Sequence, residues 1–171
     1  MAAYDQFLTE FLKAQDEREF ALGDTLDIKT SIALVIITFL ATQSGDFLKR
    51  PLSAPWHILQ IISVVCIVVA GLLALLELIP RNYILRMQSD QFLEWAEQTR
   101  RFYAEQGEKD PEGKAIERIS DVEVQRLTDR FKQNMTINEG KSKLMSASFY
   151  FTFAAICLNL ATLVAITLGV A

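Results

Sequence analysis

From His57 to Leu76 the chain reads HILQIISVVCIVVAGLLALL, twenty residues without an acid, a lysine or an arginine. That length carries a helix across the hydrocarbon core of a bilayer. Two weaker apolar stretches, Ser31 to Leu48 and Leu144 to Val170, bring the candidate spans to three. Hydrophobic residues make up 51% of the chain and charged residues 22%, so the two kinds are segregated along it. Residues 81–143 hold most of the charge, residues 1–29 hold most of the remainder, and the spans hold almost none. The expectation is an all-α integral membrane protein with three transmembrane helices, a cytoplasmic helical hairpin and an N-terminal amphipathic helix. The corresponding divisions are 1–23 for the amphipathic helix, 24–80 for spans one and two, 81–143 for the hairpin, and 144–171 for span three.

Several classes of function are excluded at this stage. The net charge of −4, with Lys and Arg interspersed among Glu and Asp, offers no basic stripe for phosphate neutralisation, so no nucleic-acid partner is expected. Cys66 and Cys157 fall near the middle of spans, where they read as small apolar fillers, and the lone His57 adds too few ligands for a metal site. There is no phosphate loop, no GxSxG, no HExxH and no paired-Cys spacing, so no enzyme and no cofactor are expected. The N-terminus, MAAYDQFLTEFLKAQDEREF, is too charged for the apolar core of a cleavable leader.

Orientation follows from the basic residues at the span ends. Lys13, Arg18 and Lys29 precede span one, Arg81 and Arg86 follow span two, and Arg130, Lys132, Lys141 and Lys143 precede span three, whereas the first connection carries only Lys49 and Arg50. The positive-inside bias puts the N-terminus and residues 81–143 in the cytoplasm and the C-terminus outside. In the N-terminal segment Tyr4, Phe7, Leu8, Phe11 and Leu12 share one helical face. Its polar face is mixed in sign, which favours packing on other helices over lying on the membrane. Gly23 followed by Asp24 and Thr25 reads as a break and an N-cap. In the loop, Leu85, Phe92, Trp95, Ala96, Phe102 and Tyr103 form one arm, and Ile116, Ile119, Val124, Leu127, Phe131 and Met135 the other, separated by QGEKDPEG. Asp110 before Pro111 is a helix start, the box from Ser120 to Glu123 marks a break in the second arm, and Pro80 is expected to kink the passage out of span two.

Polar groups within lipid need partners. Asn159 lies near the centre of span three and is the best single candidate for an interhelical hydrogen bond, with Thr38, Thr42, Gln43 and Ser44 marking span one. Cys157, Ala161, Ala165 and Gly169 recur every four residues, a small-residue stripe that admits either another copy or a helix of the same chain. The other polar cluster gathers at the cytoplasmic mouth. Asp27 and Lys29 open span one, and Asn134, Asn138, Glu139, Lys141 and Lys143 precede span three. At equal depth Asp27 can pair with Lys141, the alternative being that both lysines snorkel to headgroups.

The stretches ALGDTLDIKTSIALVIITFL and NMTINEGKSKLMSASF, an acid-x-Lys pair at the start of the first span and Asn residues four apart before a Lys at the start of a later one, resemble small membrane effectors of bacterial anti-phage signalling, the Pycsar-type and SLATT-type proteins. The resemblance implies an effector held silent until an upstream sensor, often one making a nucleotide messenger, triggers oligomerisation and loss of membrane integrity. The third span and the long hairpin depart from the usual two-span plan, and direct messenger binding is not expected. The resulting expectation is a non-enzymatic homo-oligomer in the bacterial inner membrane that contacts the lipid bilayer and permeabilises or depolarises it, with a soluble sensor as a possible partner. Asp27, Lys29, Asn138 and Lys141 would form the switch, and Asn159, Ala161, Ala165 and Gly169 the assembly surface. The competing expectation is a membrane scaffold whose hairpin docks a soluble partner.

Overall fold

A computed structural model describes the backbone of residues 2–83 and 89–170, with side chains for 9–83 and 90–170. Tyr4, Phe7 and Leu8 of the amphipathic face, and Leu85 and Arg86 after span two, therefore lie outside the described side chains. Among the described residues there are four helices and no strand: α1 (Ala2–Leu48), α2 (Ala54–Leu78), α3 (Ser89–Glu105) and α4 (Pro111–Thr167). Three of them, α1, α2 and α4, contain stretches long and apolar enough to cross a membrane.

The helix ends have local causes. Ser53, in extended conformation, stands before α2, and Pro55 occupies its first turn, where a missing N–H costs nothing. Ile79 leaves helical geometry because Pro80 follows it, so α2 ends there rather than kinking onward as the sequence suggested. Helix α3 closes at Gly107, whose φ of 75° lets its N–H reach Ala104 O and the N–H of Glu108 reach Tyr103 O. Asp110 then caps α4, accepting from the Gly113 N–H at 2.9 Å, with Pro111 as its first residue.

Two expected breaks are absent. Helix α1 runs through Gly23, Asp24 and Thr25, and α4 runs through Ser120 to Glu123 and across the 143/144 boundary. One mid-helix glycine costs only about 1 kcal/mol against alanine. At Gly23 that cost is offset by an inward face that continues without phase change, since Gly23 itself, Leu26, Thr30 and Ala33 are all buried. Capping residues describe what a helix start can use, not where one must occur.

The chain divides into two compact units, Met1–Ala21 with Asn82–Ile137, and Leu22–Arg81 with Asn138–Ala171. In the first, Leu12, Ala115 and Leu127 are buried, Phe92 meets Trp95 edge-on, and the Arg126 guanidinium lies 4.9 Å from the centre of the Trp95 ring. Its buried polar pair is Asp16 with Arg130.

The second unit brings together α2 and the apolar segments of α1 and α4. Buried positions on α1 are 23, 26, 30, 33, 37, 40, 44 and 47, and on α2 they are 60, 63, 67, 70, 74 and 77. Alternating steps of three and four keep one seam facing its neighbours, the spacing of left-handed helix packing. The apolar centre of the seam is Ile37, Leu40, Ile67, Ala70, Ala74 and Ala155. Small residues here let backbones approach, and Ala70 and Ala74 are wholly buried. Val35, Phe39, Ile58, Val65, Val68, Leu72, Phe153 and Val164 point outward from this unit and stay exposed. An apolar exterior around a partly polar interior suits a bilayer, where lipid covers the outer face.

Candidate functional site

Polar side chains occupy the seam on both sides of its apolar centre. On one side Ser44 donates to Asn159 Oδ1 at 2.9 Å and stands 3.5 Å from Ser63, while Gln60 Nε2 donates to Thr162 Oγ1 at 2.6 Å. All five are buried. Toward the middle, Ser148 donates to the Ala70 carbonyl at 2.9 Å and Thr152 to Ser148 O. Outward-facing Thr38 and Thr42 instead satisfy themselves on carbonyls one turn back.

On the other side the Lys141 ammonium donates to Asp27 Oδ1 at 2.5 Å. Lys141 has a side chain 3% exposed and Asp27 one 46% exposed, so the lysine is the interior partner and the aspartate reaches it from the rim. Its four-carbon stem supplies the reach. Asn138, one turn earlier on α4, is also buried. Glu77, on the last turn of α2, is fully buried beside Thr30, Asp27 and Lys141, and among the described residues neither of its carboxylate oxygens has a well-formed hydrogen bond.

The structure thus brings Asp27 and Lys141 together, while Lys29 points outward and is exposed. The geometric reason is helical: two residues along, a side chain sits on nearly the opposite face. Asn159 bonds within its own chain, to Ser44. The stripe of small residues does not hold together as one face. Ala165 is buried, Cys157 and Ala161 are exposed, and Gly169 lies past the end of α4 with φ of 70°, where it closes the helix. Four-residue steps advance ~40° each around a helix, so such a series rotates away from its starting face. The buried stripe is Ser148, Thr152, Ala155, Asn159, Thr162 and Ala165 instead.

Sequence reasoning passed over Glu77, Gln60, Ser63, Thr162 and the Asp16–Arg130 pair. The signal for the α2 residues was available: Gln60, Ser63, Ala70, Ala74 and Glu77, the polar and small residues, fall on one seam of alternating three- and four-residue steps. In the first unit, Trp95, Phe102, Tyr103, Arg118 and Arg126 line an open cleft between α3 and α4. Near it the Arg100 and Arg101 side chains hold the exposed Glu97 carboxyl below its ordinary range, and Glu117 raises the exposed Lys114.

Three apolar helix segments closed round a polar seam define an integral membrane protein of all-helical class. The chain belongs to the family of the Pycsar effector protein domain, whose model matches residues 11–169, and so to the membrane effectors of antiphage defence. That match takes in α2, α3 and α4 whole and α1 from residue 11 onward, and so reaches into both units. No curated protein and no solved structure matches the chain.

Proposed function

We propose that this protein is a non-enzymatic effector of bacterial antiviral defence that, once triggered, self-associates and permeabilises or depolarises the inner membrane. The observation that carries the reading is the family match over residues 11–169. The polar seam supports it, because hydroxyl, amide and charged groups inside a membrane bundle are costly and mark ion and proton routes. Exposed Cys157 and Ala161 on α4 leave a shallow outer face for close approach of a second copy. Asp27, Asn138 and Lys141 act as the switch, since a partly buried ion pair resists opening until a trigger compensates it. In this reading residues 81–143 lie in the cytoplasm with the N-terminus, and the C-terminus lies outside.

The test is expression in a phage-challenged bacterium, alongside its native sensor, with a potential-sensitive dye as readout. Depolarisation that begins after infection and precedes lysis supports the reading; unchanged potential together with unaffected phage growth rejects it. A second reading, a membrane scaffold that docks a soluble partner, is favoured by the open cleft of Trp95, Phe102, Arg118 and Arg126. Stable capture of a partner by the full-length chain, abolished by Trp95→Ala and unaccompanied by any leak, would select it.

A further inference from the structure

Glu77 ends the inward stripe of α2 with no exposed surface, and among the described residues neither of its carboxylate oxygens has a well-formed hydrogen bond, the Thr30 hydroxyl and the Asp27 carboxyl being the neighbours within reach. Across the seam on α1, the Thr30 hydroxyl is nearly as buried, lies beside Glu77, and has no well-formed hydrogen bond among the described residues. The groups facing Glu77 are Thr30 and Asp27 from α1 and Lys141 from α4. The Lys141 ammonium donates to Asp27 Oδ1. Of the other described charges at this end, Asp24, Lys29, Glu139 and Lys143 are exposed, and Arg81, also exposed, reaches over Gly140.

Two carboxylates share one ammonium, so the group carries one negative charge in excess when both acids are ionised. In a low-dielectric interior an uncompensated carboxylate is either neutralised or paired. We propose that Glu77, Asp27 and Thr30 form a binding site for one monovalent cation, a proton or an alkali-metal ion, that brings the group to neutrality. A proton on Glu77 makes it a donor, with the Asp27 carboxylate and the Thr30 hydroxyl as acceptors beside it. An alkali ion instead takes the two Glu77 oxygens and Thr30 Oγ1 as an all-oxygen donor set, the kind that hard cations require. A divalent ion fits poorly: it would overshoot the charge, and among the described residues no three acidic, histidine or cysteine side chains gather round one point.

The site is independent of the effector reading, and so is its test, which reads unfolding and not leak. The full-length protein in nanodiscs is melted across a pH series at fixed salt, and across NaCl and KCl series at fixed pH with choline chloride holding ionic strength. A ligand bound only by the folded state raises the midpoint with the logarithm of its concentration. The wild type is expected to respond in one arm, the pH arm identifying a proton and a salt arm an alkali ion. Glu77→Gln and Asp27→Asn each remove the excess negative charge, in the second case leaving Lys141 to Glu77. Both are expected to fold and to lose the response that the wild type shows in that arm. No wild-type response in either arm overturns the proposal, as does a response that persists undiminished in either variant. Failure of both variants to fold overturns it too, because each reproduces the neutral state that the site is held to adopt.

Discussion

The Arg130 guanidinium grips the Asp16 carboxylate through two hydrogen bonds, at 3.0 and 2.7 Å, with side chains only 7% and 1% exposed. Two-pronged geometry and near-complete burial make this the ion pair of the first unit whose disruption matters most. Removing one partner leaves a buried charge uncompensated, so Asp16→Ala is expected to cost about 3–5 kcal/mol, and Asp16→Leu with Arg130→Met much less than twice that. Denaturant titration of the detergent-solubilised protein, followed by circular dichroism, measures both.

The second unit contains a smaller coupling. Ser44→Ala leaves Asn159 Oδ1 without its donor, and membrane hydrogen bonds of this kind average only ~0.6 to 1 kcal/mol. A double-mutant cycle of Ser44→Ala with Asn159→Leu is expected to return a coupling of that order, and the same holds for Gln60 with Thr162. Coupling indistinguishable from zero would remove the hydrogen bonds from the account of how the spans hold together.

Among the described residues Lys141 is the ammonium that faces both carboxylates, so Lys141→Met is expected to lower the unfolding midpoint more than Asp27→Asn does. The charge swap Asp27→Lys with Lys141→Asp is expected to recover only part of the loss, because the new acid at 141 lies against Glu77. Thermal melts of the three variants beside the wild type give the order directly. Full recovery would mean that Glu77 takes no part.

Glu97 provides a surface contrast. Arg100 and Arg101 hold its carboxyl below the ordinary value, so its contribution is present at neutral pH and is lost as the pH falls through its own titration. The sign for Lys114 is opposite: raised by Glu117, it contributes below the usual lysine range and loses that contribution as the pH rises through its titration. Both side chains stand about half open to solvent, 42% and 52% exposed, and are screened, so Glu97→Gln is expected to shift the melting midpoint little at pH 7 and not at all in acid.

The spans were legible because an uncharged run such as that from His57 to Leu76 has few other folds open to it. The α4 start at Asp110–Pro111 was legible for a comparable reason: the cap residues do one job there. Where α1 and α4 continue was not legible, since Gly23 and Ser120 are local signals and helix continuity is decided by packing along the buried seam. The approach of Asp27 to Lys141 could be argued from depth and charge. Glu77 could not be reached that way: it reads as the acid that ends a span, and only the phase of its stripe with Gln60, Ser63, Ala70 and Ala74 turns it inward. The stripe ending in Gly169 divides between buried Ala165 and exposed Cys157 and Ala161, because equal four-residue spacing in sequence is not a common face on a helix.

Cys157 tests the membrane assignment most directly, being exposed on the outer face of α4 among Phe153, Leu160 and Val164. Sealed membrane vesicles are treated with a membrane-impermeant maleimide before and after opening, then with the same reagent in SDS. Lipid cover requires that Cys157 react only in SDS, in a Cys66→Ala background. Labelling of Cys157 in intact or opened vesicles, or release of the protein from membranes by an alkaline carbonate wash, would contradict a three-span protein in lipid.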